Sequence, residues 1–297
     1  MICSTYWDTM NKQRNFAGVG DEFANADRSG ILLQSIPYDG TSTWGKGADR
    51  GFEAFLTASE NMELYDIETG IEVYRAGIHT LPEILEKSSP EALYETVKSK
   101  VGELLTTGKF LTFFGGEHSV SIGIIDAFRQ RFPKLTVLQL DAHADLRPDY
   151  LGSEFNHACA MHRASRFTNL VQVGIRSMDV SEKEWLDPGR CFFAHEMHRE
   201  NTWMDRSISL MGEQVYLSID LDVLDPSIMP STGTPEPGGM QWDPLLNYLK
   251  RVFEAKEVVG FDLVEFAPIP SLKAPDILVA KLYYKLLSYK FQKSLKP

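Results

Sequence analysis

The chain has 297 residues, is 43% hydrophobic and 24% charged, and carries a formal net charge of −11. That is enough apolar material for a substantial core, but no apolar run approaches the roughly 18–20 residues of a membrane-spanning helix. The negative balance disfavours nucleic acid and anionic membranes as partners; by itself it reads first as ordinary solubility, and it could also steer a cationic substrate inward.

The opening MICSTYWDTMNKQRNF has no basic stretch followed by an apolar block, so no secretory leader is expected. Cys3, Cys159 and Cys191 are odd in number and widely spaced. They argue against a disulfide framework and for a reducing compartment, read as cytoplasm. Repeats, low-complexity tracts and Pro/Gly/Ser linkers are lacking, which predicts one domain over 1–297 with residues 1–29 as an N-terminal extension.

In chain order, strands are predicted at Ile31–Ile36, Phe110–Phe114, Leu135–Leu140, Leu170–Ile175, Val215–Ile219 and Val258–Leu263. They read as continuous apolar stretches, the pattern of a parallel sheet covered on both faces. A helix is expected from Ser89–Pro90, a cap followed by proline in the first turn. It carries Leu93, Val97, Val101 and Leu104 on one face and stops at Gly108. Further helices follow Asp243–Pro244 and Pro275. The alternation predicts a three-layer α/β/α fold, in which functional groups gather beyond the carboxyl ends of the strands.

Four strand ends carry ionisable groups. Phe110–Phe114 runs into Gly115, Gly116, Glu117, His118 and Ser119. Leu135–Leu140 runs into Asp141, His143 and Asp145, Val215–Ile219 into Asp220 and Asp222, and Val258–Leu263 into Glu265. Clustered carboxylates repel and resist desolvation, and a divalent cation reverses that cost because it stabilises each ionised ligand. His118, Asp141, His143, Asp145, Asp220 and Asp222 exceed the needs of one tetrahedral ion and suit two ions sharing carboxylates. An oxygen-rich set with some imidazole favours Mn²⁺ over structural zinc. Two such ions lower the pKa of water between them, which predicts metal-assisted hydrolysis. Phosphoryl transfer also uses two metals, but no P-loop is present.

The segments GGEHS (Gly115–Ser119), DAHAD (Asp141–Asp145) and SIDLDVLDPSIMPSTGTPEPGG (Ser218–Gly239) together resemble the ureohydrolase family, which contains arginase and agmatinase. PYDGTSTWGKGADRG (Pro37–Gly51) and LVEFAP (Leu263–Pro268) are similar to its agmatinase branch, and the resemblance runs from about residue 30 to about residue 290. It implies an arginase/deacetylase-like fold with a parallel eight-stranded sheet, assembly into trimers or hexamers, and two Mn²⁺ per subunit. It further implies hydrolysis of a small cationic guanidino substrate to urea and an amine. By position, His118 and Asp145 would hold one ion, His143 and Asp222 the other, and Asp141 and Asp220 would bridge. His157 matches the proton-shuttle histidine, Glu265 the guanidinium partner and Thr234 a pocket threonine.

The loop LRPDYLGSEFNH lacks the Asn, Ser and Thr run typical of arginase and carries Asp149 and Glu154. Such acids suit the free amine of agmatine and oppose a carboxylate, whereas an inward Arg147 would weaken that preference. Agmatine, yielding putrescine and urea, is the expected substrate. The alternatives are arginine, guanidinobutyrate or formiminoglutamate, and more remotely a zinc-dependent deacetylase or a non-catalytic binding protein of the same fold.

HEMH (His195–His198) lacks the spacing of a zinc-protease helix and reads as a surface helix start. Cys159 reads as a buried filler; Arg176 and Asp179 are candidates for the pocket lining or an inter-subunit contact, and Trp44 for the site entrance or for simple packing, none of them assigned. Two positions depart from the family pattern: Glu117, where aspartate is common and a modest change of geometry is expected, and Phe52, where proline is common.

Overall fold

A computed structural model describes residues 14–197, 199 and 202–295. Cys3, His198 and the first thirteen residues of the opening segment lie outside the described residues.

Among the described residues, eight strands form one all-parallel sheet in the order β2-β1-β3-β8-β7-β4-β5-β6. They are β1 (Ile31–Ile36), β2 (Ile78–Thr80), β3 (Phe110–Gly115), β4 (Thr136–Leu140), β5 (Asn169–Ile175), β6 (Cys191–Phe193), β7 (Gln214–Asp220) and β8 (Glu257–Val264). The six strands read from apolar runs are all present, each within a residue of its expected ends. The two additional ones, β2 and β6, are three-residue edge strands. Three residues are too few to show a period, and short edges leave little open ladder for unwanted pairing.

Two apolar layers cover the sheet, as the continuous hydrophobic runs require. Ile31 and Leu33 of β1 pack with helices α1 (Gly51–Ser59), α4 (Trp242–Ala255) and α5 (Ala274–Leu295). Leu32 and Ile36 point the other way, onto α2 (Pro90–Leu105) and α3 (Val120–Arg131). Successive strand residues face opposite sides, so a strand apolar at every position must be buried on both.

Helix α2 starts as its sequence indicates. Ser89 Oγ accepts from Ala92 N–H at 3.1 Å, Pro90 occupies the first turn, and Leu93, Tyr94, Val97 and Val101 are buried. Helices α4 and α5 each begin before their proline, at Trp242 and Ala274, so that Pro244 and Pro275 sit in the first turn. Proline is tolerated there because those N–H groups have no partner within the helix. Phe52, the departure in the early loop, is core. Its ring lies 5.9 Å from that of Phe55 and 5.7 Å from that of Phe114.

The strand order decides where the site forms. The four central strands, β3, β8, β7 and β4, are the four whose ends carry the carboxylates and imidazoles singled out in the sequence. The connection from β3 to β4 passes over two strands that the chain fills in later. Their carboxyl ends therefore converge at a point where the connections diverge, the usual position of a site in an open α/β sheet.

Candidate active site

Beyond the sheet, His118 and His143 each face carboxylates, and Asp141 stands between them. His118 Nδ1 lies 3.1 Å from Asp141 Oδ2, 3.0 Å from Asp145 Oδ2 and 3.5 Å from Asp220 Oδ2. His143 Nδ1 lies 2.9 Å from Asp222 Oδ2 and 3.6 Å from Asp141 Oδ1. Two groups able to hold a cation result, His118–Asp141–Asp145 and Asp141–His143–Asp222, with Asp141 common to both. Asp220 adjoins the first through Oδ2, while its Oδ1 accepts from Asp222 N–H at 2.9 Å. All six residues named from the strand ends are thus brought together.

Local backbone geometry does the aiming. Asp145 and Glu265 both adopt left-handed conformations, at φ 52 and φ 65. For residues with a Cβ this costs on the order of 1–3 kcal/mol each, so the surroundings must hold them there. Glu265 N–H donates to Gly116 O at 2.8 Å, and Glu265 Oε1 accepts from His118 N–H at 2.8 Å. The Asp145 carbonyl accepts from Met161 N–H at 2.9 Å. Gly116 permits a close approach, since a Cβ there would come within 1.8 Å of Tyr38 O.

A cation is what this donor set fits. His118 Nδ1 is buried and makes no hydrogen bond, although carboxylate oxygens surround it. Its other nitrogen, Nε2, is 3.0 Å from Ser218 Oγ, which itself donates to Asp262 Oδ1 at 2.9 Å. Tyr216 OH donates to the other Asp262 oxygen at 2.8 Å. Because the Ser218 hydrogen goes to Asp262, Ser218 accepts from His118 Nε2–H. The Nδ1 lone pair is then aimed at the carboxylates, where only a positive charge makes the contact favourable.

The electrostatics agree. Burial opposes charge on both imidazoles, yet Asp141 and Asp145 hold His118 well above its usual value, and Asp222 and Asp141 lift His143 to about 12. Burial and the neighbouring carboxylates push Asp145 and Asp220 upward. Burial, with Glu117 nearby, does the same to Glu265.

A cavity of about 290 Å³ opens above the cluster. His143, Asp145, His157, Asp220, Thr234 and Glu265 line it. Burial, with the positive charge on His118 and His143, lowers His157 to about 4.

Asp149 and Glu154 are placed elsewhere, which corrects the expectation that they face the substrate. Both are exposed and neither lines the cavity, and Glu154 pairs with Arg163 at 3.4 Å. The acidic wall is formed by Asp179 and Glu182. Glu182 is committed to the backbone, accepting from Leu146 N–H at 2.8 Å and from Asp179 N–H at 2.6 Å. Asp179 has one oxygen on Ser181 and the other 3.8 Å from Arg147. Arg147 does line the cavity, with its guanidinium 4.5 Å from the Tyr150 ring centre. Asp179 and Glu182 belong to a short helical turn after β5, where they form a capping box.

Three further residues have structural roles. Arg176 clamps backbone carbonyls of Gly174, Asp222 and Glu236. Cys159 is fully buried, and burial pushes its thiol up to about 12, so it is a filler rather than a reactive group. Glu117 is buried, and its carboxylate accepts from Ser119 N–H at 3.0 Å and Ser119 Oγ at 2.8 Å.

A model of the arginase family matches residues 29–288. The chain belongs to the arginase family. It is 36% identical to an N(1)-aminopropylagmatine ureohydrolase of Thermus thermophilus, covering 91% of this chain and 94% of that protein. It is 31% identical to the agmatinase of Pyrococcus horikoshii, covering 86% and 90%. The crystal structure of agmatine ureohydrolase of Thermoplasma volcanium superposes with a TM-score of 0.85 at 26% identity, covering 98% of this chain and 99% of that one. The protein is accordingly a hydrolase of the agmatinase type, and its eight-stranded parallel sheet is the arginase fold.

Proposed function

We propose that this arginase-family protein is a binuclear Mn²⁺ hydrolase that cleaves the guanidino group of agmatine, giving putrescine and urea. The observation that carries the reading is Asp141, whose two oxygens face two separate imidazoles, each backed by a further carboxylate. His118, Asp145 and Asp220 would hold one ion, His143 and Asp222 the other, with Asp141 between them. The oxygen-rich set with imidazole favours Mn²⁺. When bound, the ions supply Lewis-acid charge and lower the pKa of water held between them.

The chain's own residues do the rest. Glu265, on the cavity wall, pairs with the arriving guanidinium, whose positive charge offsets the repulsion from Glu117. Thr234 lies on the same wall. His157 moves a proton to the leaving amine, the duty that an imidazole at the cavity edge can perform. Asp179 gives the outer cavity an acidic group suited to a cationic tail, and it also neutralises Arg147. A reducing compartment and a trimer or hexamer of this chain accompany the reading, the latter to be measured by sedimentation.

A second reading of the substrate, N(1)-aminopropylagmatine, is favoured by the relatives of that name, which are 32–36% identical against 30–31% for the agmatinases. One experiment tests both. Urea release is measured on agmatine, N(1)-aminopropylagmatine, arginine and 4-guanidinobutyrate, with metal content determined on the same sample. The highest kcat/KM should fall on one of the two amines at two Mn²⁺ per chain. A protein carrying two Mn²⁺ that releases no urea from any of them would sink the hydrolase reading. A single zinc per chain would favour a deacetylase.

A further inference from the structure

Arg147 and Asp179 meet on the cavity wall from two loops, one after β4 and one after β5. Each is held from its own side. Arg147 N–H donates to Ala158 O at 3.1 Å, and the guanidinium lies over the Tyr150 ring. That ring is in turn 6.1 Å from the ring of His157, so the pair stands one aromatic ring out from the histidine. The loop itself is closed by Tyr150 and Ser153, whose backbone groups exchange hydrogen bonds at 3.1 and 3.2 Å, and by Phe155, stacked on Tyr94 at 4.3 Å. Asp179 caps the turn Val180–Glu184, with Oδ1 accepting from Ser181 N–H at 3.0 Å and from Ser181 Oγ at 2.6 Å.

The ion pair between them is open. Arg147 Nη2 lies 3.8 Å from Asp179 Oδ2, beyond hydrogen-bond distance. Among the described residues, neither that guanidinium nor Oδ2 makes a hydrogen bond. An unclaimed acceptor and a set of unclaimed donors thus stand side by side in the cavity that Glu265 also lines. Seen from far away their charges cancel. A group that touches one of them feels that one more strongly, because the Coulomb energy falls with distance. A substrate whose guanidinium is at Glu265 sends its tail outward. An ammonium tail is attracted by Asp179 Oδ2 and repelled by Arg147, and a carboxylate tail meets the reverse.

Resting on the guanidino-hydrolase reading above, we infer that Arg147 is a specificity-determining residue, which with Asp179 forms a charge-selecting pair for the tail of the substrate. Asp179 admits the ammonium. Arg147 opposes it and is the contact for a carboxylate. The preference for an amine tail is then a balance between two opposed side chains rather than the property of an acidic wall. Shifting the balance requires only one of the two charges to be removed.

The test measures kcat/KM of the Mn²⁺-loaded full chain on agmatine and on 4-guanidinobutyrate, which share the guanidino group and differ in the sign of the tail. A unit charge about 4 Å from the tail changes affinity about tenfold, in opposite senses for the two compounds. Arg147→Met keeps the length of the side chain and a group able to pack on Tyr150. It should raise the ratio of agmatine to 4-guanidinobutyrate about 10²-fold. Asp179→Asn keeps a capping oxygen. It should lower the same ratio about 10²-fold. A residue that only supports the fold would depress both rates together and leave the ratio alone, and that result in Arg147→Met overturns the proposal.

Glu154→Gln removes the same charge as Asp179→Asn, but from an exposed position outside the cavity. Its ratio should stay native. Equal shifts in Glu154→Gln and Asp179→Asn would assign the selection to net charge and overturn the pair. Should no substrate release urea, the hydrolase reading fails by itself. The pair is then decided by calorimetric Kd values of the same two compounds on the same Mn²⁺-loaded samples. The ratio of those Kd values should shift in opposite directions in the two variants, and a ratio that neither variant moves overturns the pair.

Discussion

Asp141→Asn removes the one carboxylate shared by the two cation-binding groups, and the surroundings predict a specific outcome. Asp141 Oδ2 accepts from Gln139 Nε2 at 2.7 Å, and Oδ1 accepts from His143 N–H at 2.6 Å. Gln139 is not free to turn, because its own oxygen accepts from Gln172 Nε2 at 2.6 Å. An asparagine has one acceptor oxygen, so its amide must meet an N–H donor whichever way it is set. One charge-assisted hydrogen bond is lost, a penalty of about 1.5–3 kcal/mol. Removing a negative charge also relieves Asp145 and Asp220, whose protonated forms Asp141 favours. Burial opposes the Asp141 charge, yet His118 and His143 hold its carboxyl well below the usual value, so losing that charge should lower the thermal stability of the ion-free protein.

The response to metal should change a great deal. Loss of a partner one shell out already weakens metal affinity roughly 10–100-fold, and Asp141 faces both groups directly. Taking 100-fold, Mn²⁺ at 100 times the native Kd stabilises the native protein by about 2.7 kcal/mol and the variant by about 0.4 kcal/mol per site. The assay is thermal unfolding with and without Mn²⁺, with metal content after dialysis and urea release on the same samples. A variant that keeps two Mn²⁺, the native rise in Tm and normal turnover would refute the bridging role.

Other perturbations separate the parts of the site. Gly116→Ala places a Cβ 1.8 Å from Tyr38 O, so the Tyr38–Thr41 loop must move by more than 1 Å; such a shift near the chemistry lowers kcat about 10²-fold, and a native kcat would refute the tight approach. His157→Asn should retain both ions by elemental analysis and slow turnover by about 10²–10⁴-fold; loss of metal instead would mark His157 as a ligand. Away from the site, Lys285, Lys250 and Tyr289 outweigh burial and hold Glu68 down at about 2. A depressed carboxylate adds stability that is present above its unfolded value near 4.5 and lost as pH falls toward 2. Glu68→Gln should therefore flatten the acid limb of unfolding between those values, and an unchanged limb would show that solvent screens the pairs.

The sequence by itself determined the layered α/β fold, the six longer strands and the residues at the ends of the four that meet in the middle. Those signals are local: a strand buried on both faces must be apolar throughout, and charges just beyond it stand out. Local periodicity could not show β2 and β6, which are too short, nor the order β3-β8-β7-β4, which depends on how crossovers pack. Only that order brings Asp141 between His118 and His143.

The cavity wall was also beyond local reading. Asp149 and Glu154 follow the metal motif in the chain, yet the backbone carries them outward, and Asp179 and Glu182 arrive from after β5 to take the place expected of them. Asp262 was hidden because an acid inside the apolar run of β8 has no signal until Tyr216 and Ser218 are seen to satisfy it. Strand ends can be read from neighbours in sequence, but a cavity is assembled from loops of different strands, whose meeting is fixed by tertiary packing.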